Sequence, residues 1–125
     1  MSKASKIDHF DPNSPGSAQA GIYGLPFTPE ESDIVLVPVP WEVTTSYGAG
    51  TANGPGAIRE ASFQVDLFHP EFADLWKRGI AMDELPGALQ EQSTHLKEEA
   101  AKVIDVLVNG GGKAAEKRAA KALML

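Results

Sequence analysis

The chain has 125 residues, the size of one domain, and 42% of them are hydrophobic, which supplies a core and sets aside wholesale disorder. Lys and Arg total 11 against 17 Asp and Glu, a net charge of −6 that repels phosphate backbones and anionic membranes; neither nucleic acid nor a membrane is the expected partner. The absence of cysteine removes disulfides, thiolate zinc sites, iron–sulfur clusters and thiol catalysis together.

Residues 1 to 32 are rich in Ser, Pro, Gly and Asp and show no sustained hydrophobic period, so they read as an irregular N-terminal arm. Ile7, Phe10, Ile22, Tyr23, Leu25 and Phe27 are too many apolar residues for a linker. They predict that the arm lies in a groove of the main body or of a neighbouring subunit, which offsets its ordering entropy. The opening residues contain no apolar leader, and no later run approaches the ~20 residues needed to span a bilayer. The default expectation is a cytoplasmic protein.

Asp33 to Val39, "DIVLVPV", is an unbroken apolar and β-branched run, the pattern of a strand buried on both faces in a parallel sheet. Pro38 and Pro40 end it, because proline cannot donate to a central ladder. A loop crowded with Gly, Thr and Ser follows. Gly54 and Pro55 then open a helix expected over Gly56 to Leu67, with Asn53 or Gly54 as its cap and with Ala57, Ile58, Ala61, Val65 and Phe68 on its apolar face.

Ile80 to Met82 forms a short apolar core in a turn-rich stretch and reads as a brief second strand. From Ser93 the periodicity of Leu96, Ala100, Val103, Ile104, Leu107 and Val108 predicts a helix that should pack on a sheet. Glu98 stands one turn before Lys102 on it, and Asn109-Gly110 stops it. Lys113 to Leu125 is a final run of helix formers, with Lys113, Lys117, Arg118 and Lys121 read as a solvated face.

Strand, helix, strand, helix is an α/β pattern in which each strand needs neighbours and each apolar helix face needs a sheet. One long strand signal does not supply them. Residues 33 to 125 are therefore expected to be the N-terminal part of a larger, incomplete α/β domain that is unstable or aggregation-prone alone.

The string "VPVPWEVTTSYGAGTANGPGAIREAS" resembles the N-terminal part of the ureohydrolases, the arginase and agmatinase family. The matching residues are Val39-Pro40, Thr45-Ser46-Tyr47, Gly50, Gly54-Pro55 and Ile58-Arg59, and the likeness runs over residues 10 to 68. Together with the arm, "PWEVTTSY" is most similar to the agmatinase-like branch that includes guanidine hydrolases. The resemblance implies a three-layer α/β/α fold with a parallel sheet and a binuclear manganese or nickel centre in the full-length protein. It also implies hydrolysis at a guanidino carbon to release urea or ammonia, and assembly as a homo-oligomer, trimeric or hexameric.

The family's metal ligands lie in "GGDH", "D-x-H-x-D" and "S-x-D-x-D" elements, and this sequence contains none of them; "NGGGK" at 109 to 113 lacks both acid and imidazole. No metal ligand and no catalytic residue is assigned to this chain, and no cofactor is expected to bind it alone. A metal-activated hydroxide needs convergent carboxylates and imidazoles, so catalysis resides in a remainder. The alternative is a truncated, non-catalytic member that binds partners. His9, His69 and His95 lack metal spacing and read as an arm residue, a turn residue and a surface residue in the first turn of its helix.

Glu42, Thr44, Thr45, Ser46 and Tyr47 are assigned to a substrate-entrance loop, because they follow the carboxyl end of a strand, where open α/β sheets place ligands. Two readings stand open for them. Either the hydroxyls bind a guanidinium and Glu42 offers charge, or the hydroxyls satisfy the loop's own backbone and Glu42 is a rim carboxylate. Gly50, Gly54, Pro55 and Arg59 are assigned to the structure of the loop and the helix entry, Arg59 as an anchor to carbonyl or carboxylate groups.

Overall fold

A computed structural model describes residues 1–17, 19–45, 47–110 and 112–122. The chain divides into two compact units. The first comprises Met1–Pro38 and Gly54–Leu85, the second Val39–Asn53 and Pro86–Leu125.

The first unit holds the sheet. Strands β1 (Ile34–Leu36) and β2 (Ile80–Met82) pair in parallel, with Ile34 opposite Ile80, Val35 opposite Ala81 and Leu36 opposite Met82. Both strands lie within the runs that the sequence marks, and α/β is the class observed. β1 is shorter than its apolar run and is not buried on both faces: Ile34 and Val35 are exposed and Val37 is 70% exposed. Burial on both faces needs elements packed above and below the sheet, and among the described residues the element chiefly in contact with β1 is β2, its partner within the sheet. At the entry to β2, Gly79 has φ +82, and a Cβ there would stand 3.0 Å from the Cα of Ser32. Backbone conformation and close approach both call for glycine at that position.

Part of the arm is helical. Helix α1 (Lys3–His9) starts at Ser2, whose hydroxyl accepts from the Ser5 amide at 3.3 Å. Capping and tertiary ion pairs make this helix, and neither appears as hydrophobic periodicity. Lys6 pairs with Glu31 at 2.6 Å, and Lys3 donates to the Arg78 carbonyl at 2.5 Å. The arm's apolar residues pack within their own unit. Leu25, Phe27 and Trp76 are buried together, flanked by Ile7, Phe10, Tyr23, Leu67 and Ile80. The Trp76 ring lies 5.1 Å from that of Phe10 and 6.5 Å from that of Phe27. Burying side chains of this size stabilises by about 1.5–3 kcal/mol each, which is the physical reason the arm stays down.

Helix α2 (Gly54–Ser62) begins directly after a 3-10 turn, Thr51–Asn53, and ends earlier than its apolar spacing implies. Ser62 is buried at its last position. Its hydroxyl donates to the Arg59 carbonyl at 2.6 Å and accepts from the Tyr23 amide at 2.9 Å. Tyr23 is held there at φ +58. Beyond Ser62 the chain makes successive turns, and Phe63 lies against Gly16. A tertiary contact with the arm therefore ends the helix.

The second unit is a loop and two helices. Helix α3 (Gly87–Asn109) starts after Pro86, about two and a half turns before its apolar period begins at Leu96 and ahead of the start expected at Ser93. Ala, Leu, Gln and Glu are good helix formers and carry the pattern back to Gly87. His95 consequently lies in the helix interior, not in the first turn. Lys102 pairs with Glu99 at 2.5 Å instead of Glu98. Gly110, at φ +71, closes the helix. Helix α4 (Lys113–Ala122) packs on α3, and residues 123–125 of the expected last helix lie outside the described residues. Among the described residues the second unit contains no strand, and Ile104, Leu107 and Val108 of α3 are exposed.

Candidate functional site

The loop expected from its sequence to form a substrate entrance belongs to the second unit, where the chain leaves Pro40 and returns to Asn53. Its anchor is Glu42. Pro40 is fully buried, and the Glu42 amide donates to the hydroxyl of Ser93 on α3 at 2.8 Å. The Glu42 side chain is only 2% exposed. One carboxylate oxygen receives the Lys97 ammonium, and the other accepts from the amides of Gly50 at 2.5 Å and Ala52 at 3.3 Å.

This geometry explains the electrostatics. The hydrogen bond from Lys97 is the largest influence and the Gly50 amide the next; both favour the charged carboxylate over the opposing effect of desolvation. They hold the Glu42 pKa down to about 2, against an ordinary 4.5. Gly50 sits at φ +132, a conformation that turns its amide onto Glu42 and that L side chains rarely adopt. Lys97 follows Ser93 by one turn of α3, so one helix face presents both the hydroxyl and the ammonium.

Beside Glu42 lies a pocket of about 360 Å³ lined by Gly50, Ala52, Asn53, Gln90 and Lys97 among others. Thr44 and Thr45 are exposed, and Tyr47 is 96% exposed. Ser46 lies outside the described residues. Glu42 and Gly50 are thus brought together, with Thr44, Thr45 and Tyr47 on the span between them. Gly54, Pro55 and Arg59 belong to the first unit. There the Arg59 guanidinium donates to the Ala20 carbonyl at 3.0 Å and lies over the Phe63 ring at 5.6 Å. It ties α2 to the arm.

Ser93 and Lys97 carry no motif. The signal that marks them is their i, i+4 spacing on α3, two polar residues in line with Ala100 and Ile104 on the helix's own apolar face. Their partner stands 51 and 55 residues away. His69 accepts from the Glu71 amide at 3.2 Å within a turn.

A manganese or nickel pair needs a convergent set of carboxylates and imidazoles. Among the described residues no three of His, Asp and Glu come together in a group that could hold a metal ion. The described residues do not fit such a centre. Among them, no helix is long and apolar enough to cross a membrane.

Comparison with known proteins agrees with the loop sequence. An N(1)-aminopropylagmatine ureohydrolase from Synechocystis sp. is 44% identical over 41 residues. Those residues are 33% of this chain and 13% of that protein, so the match spans a small part of the relative's length. No solved structure matches the chain. A sequence model of the arginase family matches residues 32–115, which include β1, the entrance loop, α2, β2, all of α3 and the Glu42–Lys97 pair. With more than half of its length matched, the chain belongs to the arginase family.

Proposed function

We propose that this chain is the N-terminal segment of a metal-dependent ureohydrolase of the agmatinase-like branch, and that residues 42 to 53 wall its substrate mouth. The observation that carries this reading is the family match over residues 32–115, which takes in the whole loop and the helix that anchors it. The ureohydrolase relative, named for a substituted agmatine, supports a guanidino compound as substrate.

In this reading water adds to the guanidino carbon and the carbon–nitrogen bond to the rest of the substrate breaks. Urea is released together with the leaving amine, which takes up the proton and is ammonia where the substrate is guanidine. Manganese or nickel would be held by ligands outside the described residues, and activation of that water is the chemistry it would supply. The part of this chain is to shape and position. Thr44, Thr45 and Tyr47 face the substrate's approach, and Glu42 fixes the loop that bears them. The working protein is a cytoplasmic homo-oligomer. The test is release of urea and of ammonia by the full-length protein from guanidine, agmatine and arginine, with manganese and then with nickel. Metal-dependent release from one of them is expected; release from none with either metal overturns the proposal.

A further inference from the structure

We propose that Glu42 and Lys97 form a latch that fixes where Thr44, Thr45 and Tyr47 lie, acting as positioning residues for substrate admission and not as substrate ligands. The latch stands on geometry alone; its effect on substrate rests on the ureohydrolase reading above.

The Glu42 carboxylate is already occupied. A carboxylate offers about four lone-pair sites, and three donors converge on this one: the Lys97 ammonium, the Gly50 amide and the Ala52 amide. With the side chain 2% exposed, no face is left for an incoming guanidinium. The same residue is pinned through its main chain, since its amide donates to Ser93. Glu42 therefore holds α3 at one end and the returning leg of the loop at the other, closing residues 43 to 49 into a ring.

The tip has little else to hold it. Tyr47 is exposed, and a Cβ at Gly48 or Gly50 would meet nothing within 4 Å. Gly48 is at φ +62, so both glycines serve backbone conformation and not packing. Among the described residues, the hydrogen bonds that join residues 39–53 to α3 are those made by Glu42. A change at the pair reaches the tip directly. Lys97 is 41% exposed, so it can be altered without opening a core.

The test uses the full-length enzyme carrying Lys97→Met, Glu42→Gln or Lys97→Arg. Amide exchange at Gly50 and Ala52 reads the latch, and the division between KM and kcat for the guanidino substrate reads its consequence. Losing the cation should speed exchange of those two amides about tenfold, the scale of one lost charge-assisted partner. KM should rise several-fold with kcat little changed, and Lys97→Arg should restore both readouts. Unchanged exchange in Lys97→Met, or no recovery of slow exchange in Lys97→Arg, overturns the latch; faster exchange with KM unaltered overturns its role in substrate admission. If the unaltered enzyme releases neither urea nor ammonia, the ureohydrolase reading falls, while the exchange rates still decide whether the latch exists.

Discussion

The amide of Glu42 donates to the hydroxyl of Ser93 at 2.8 Å, and both residues are buried although 51 positions separate them. This contact seats the start of the loop on α3. Ser93→Ala removes the acceptor and leaves a buried N–H without a partner. Exchange of the Glu42 amide, followed by mass spectrometry or NMR, should accelerate about tenfold. An unchanged rate would mean that the loop is held by other contacts.

Acid should release the same loop. The Glu42 pKa is lowered in the folded protein, so its contribution is complete above the ordinary value of 4.5 and is lost as pH falls from there towards about 2. Lys97 is the charged side chain that lines the pocket with Glu42. Protection of the Gly50 and Ala52 amides should therefore fall between pH 4.5 and 2, after correction for intrinsic exchange. In Glu42→Gln that step should be missing.

Ser62 makes the corresponding tie in the first unit, accepting from Tyr23 and donating to Arg59. Ser62→Ala strands the Tyr23 amide and should cost about 1–3 kcal/mol, measured by urea unfolding of the full-length protein. A loss within error would show that the arm reaches α2 by packing alone.

Trp76 joins the arm to the sheet, with Phe10 and Phe27 against its ring. Trp76→Ala should destabilise by about 3–5 kcal/mol in the same unfolding experiment, because deleting a buried indole leaves a cavity as well as losing transfer energy. The arm should also become a target for limited proteolysis.

Local chemistry was legible where a single stretch decides the outcome. The apolar runs at Ile34–Leu36 and Ile80–Met82 mark both strands, and Asn109-Gly110 marks the end of α3. The loop string resembles the family that the match over residues 32–115 shows. What the sequence hid depends on partners far along the chain. α2 stops at Ser62 because the arm binds there, and α1 forms on a serine cap and ion pairs that no periodicity records. The exposure of Ile34 and Val35 follows from what packs above and below the sheet, a matter of neighbours and not of the strand's own residues.

The candidate site divides in the same way. Glu42 and Gly50 stand in the recognisable loop, but their pairing through Gly50's backbone conformation is a three-dimensional fact. Ser93 and Lys97 sit on a helix whose apolar residues draw the eye, and their polar spacing acquires meaning only once Glu42 arrives between them.

Tyr47 offers the most direct measurement. It is almost fully exposed, and exposed substitutions usually change stability by no more than about 0.5 kcal/mol, so Tyr47→Ala should leave the fold intact. Steady-state release of urea or ammonia by the full-length enzyme, unaltered and with Tyr47→Ala, asks whether this loop meets a guanidino substrate. A several-fold rise in KM at unchanged melting temperature is the expected result. Equal KM values for the two proteins, or no guanidino hydrolysis by the unaltered one, would contradict it.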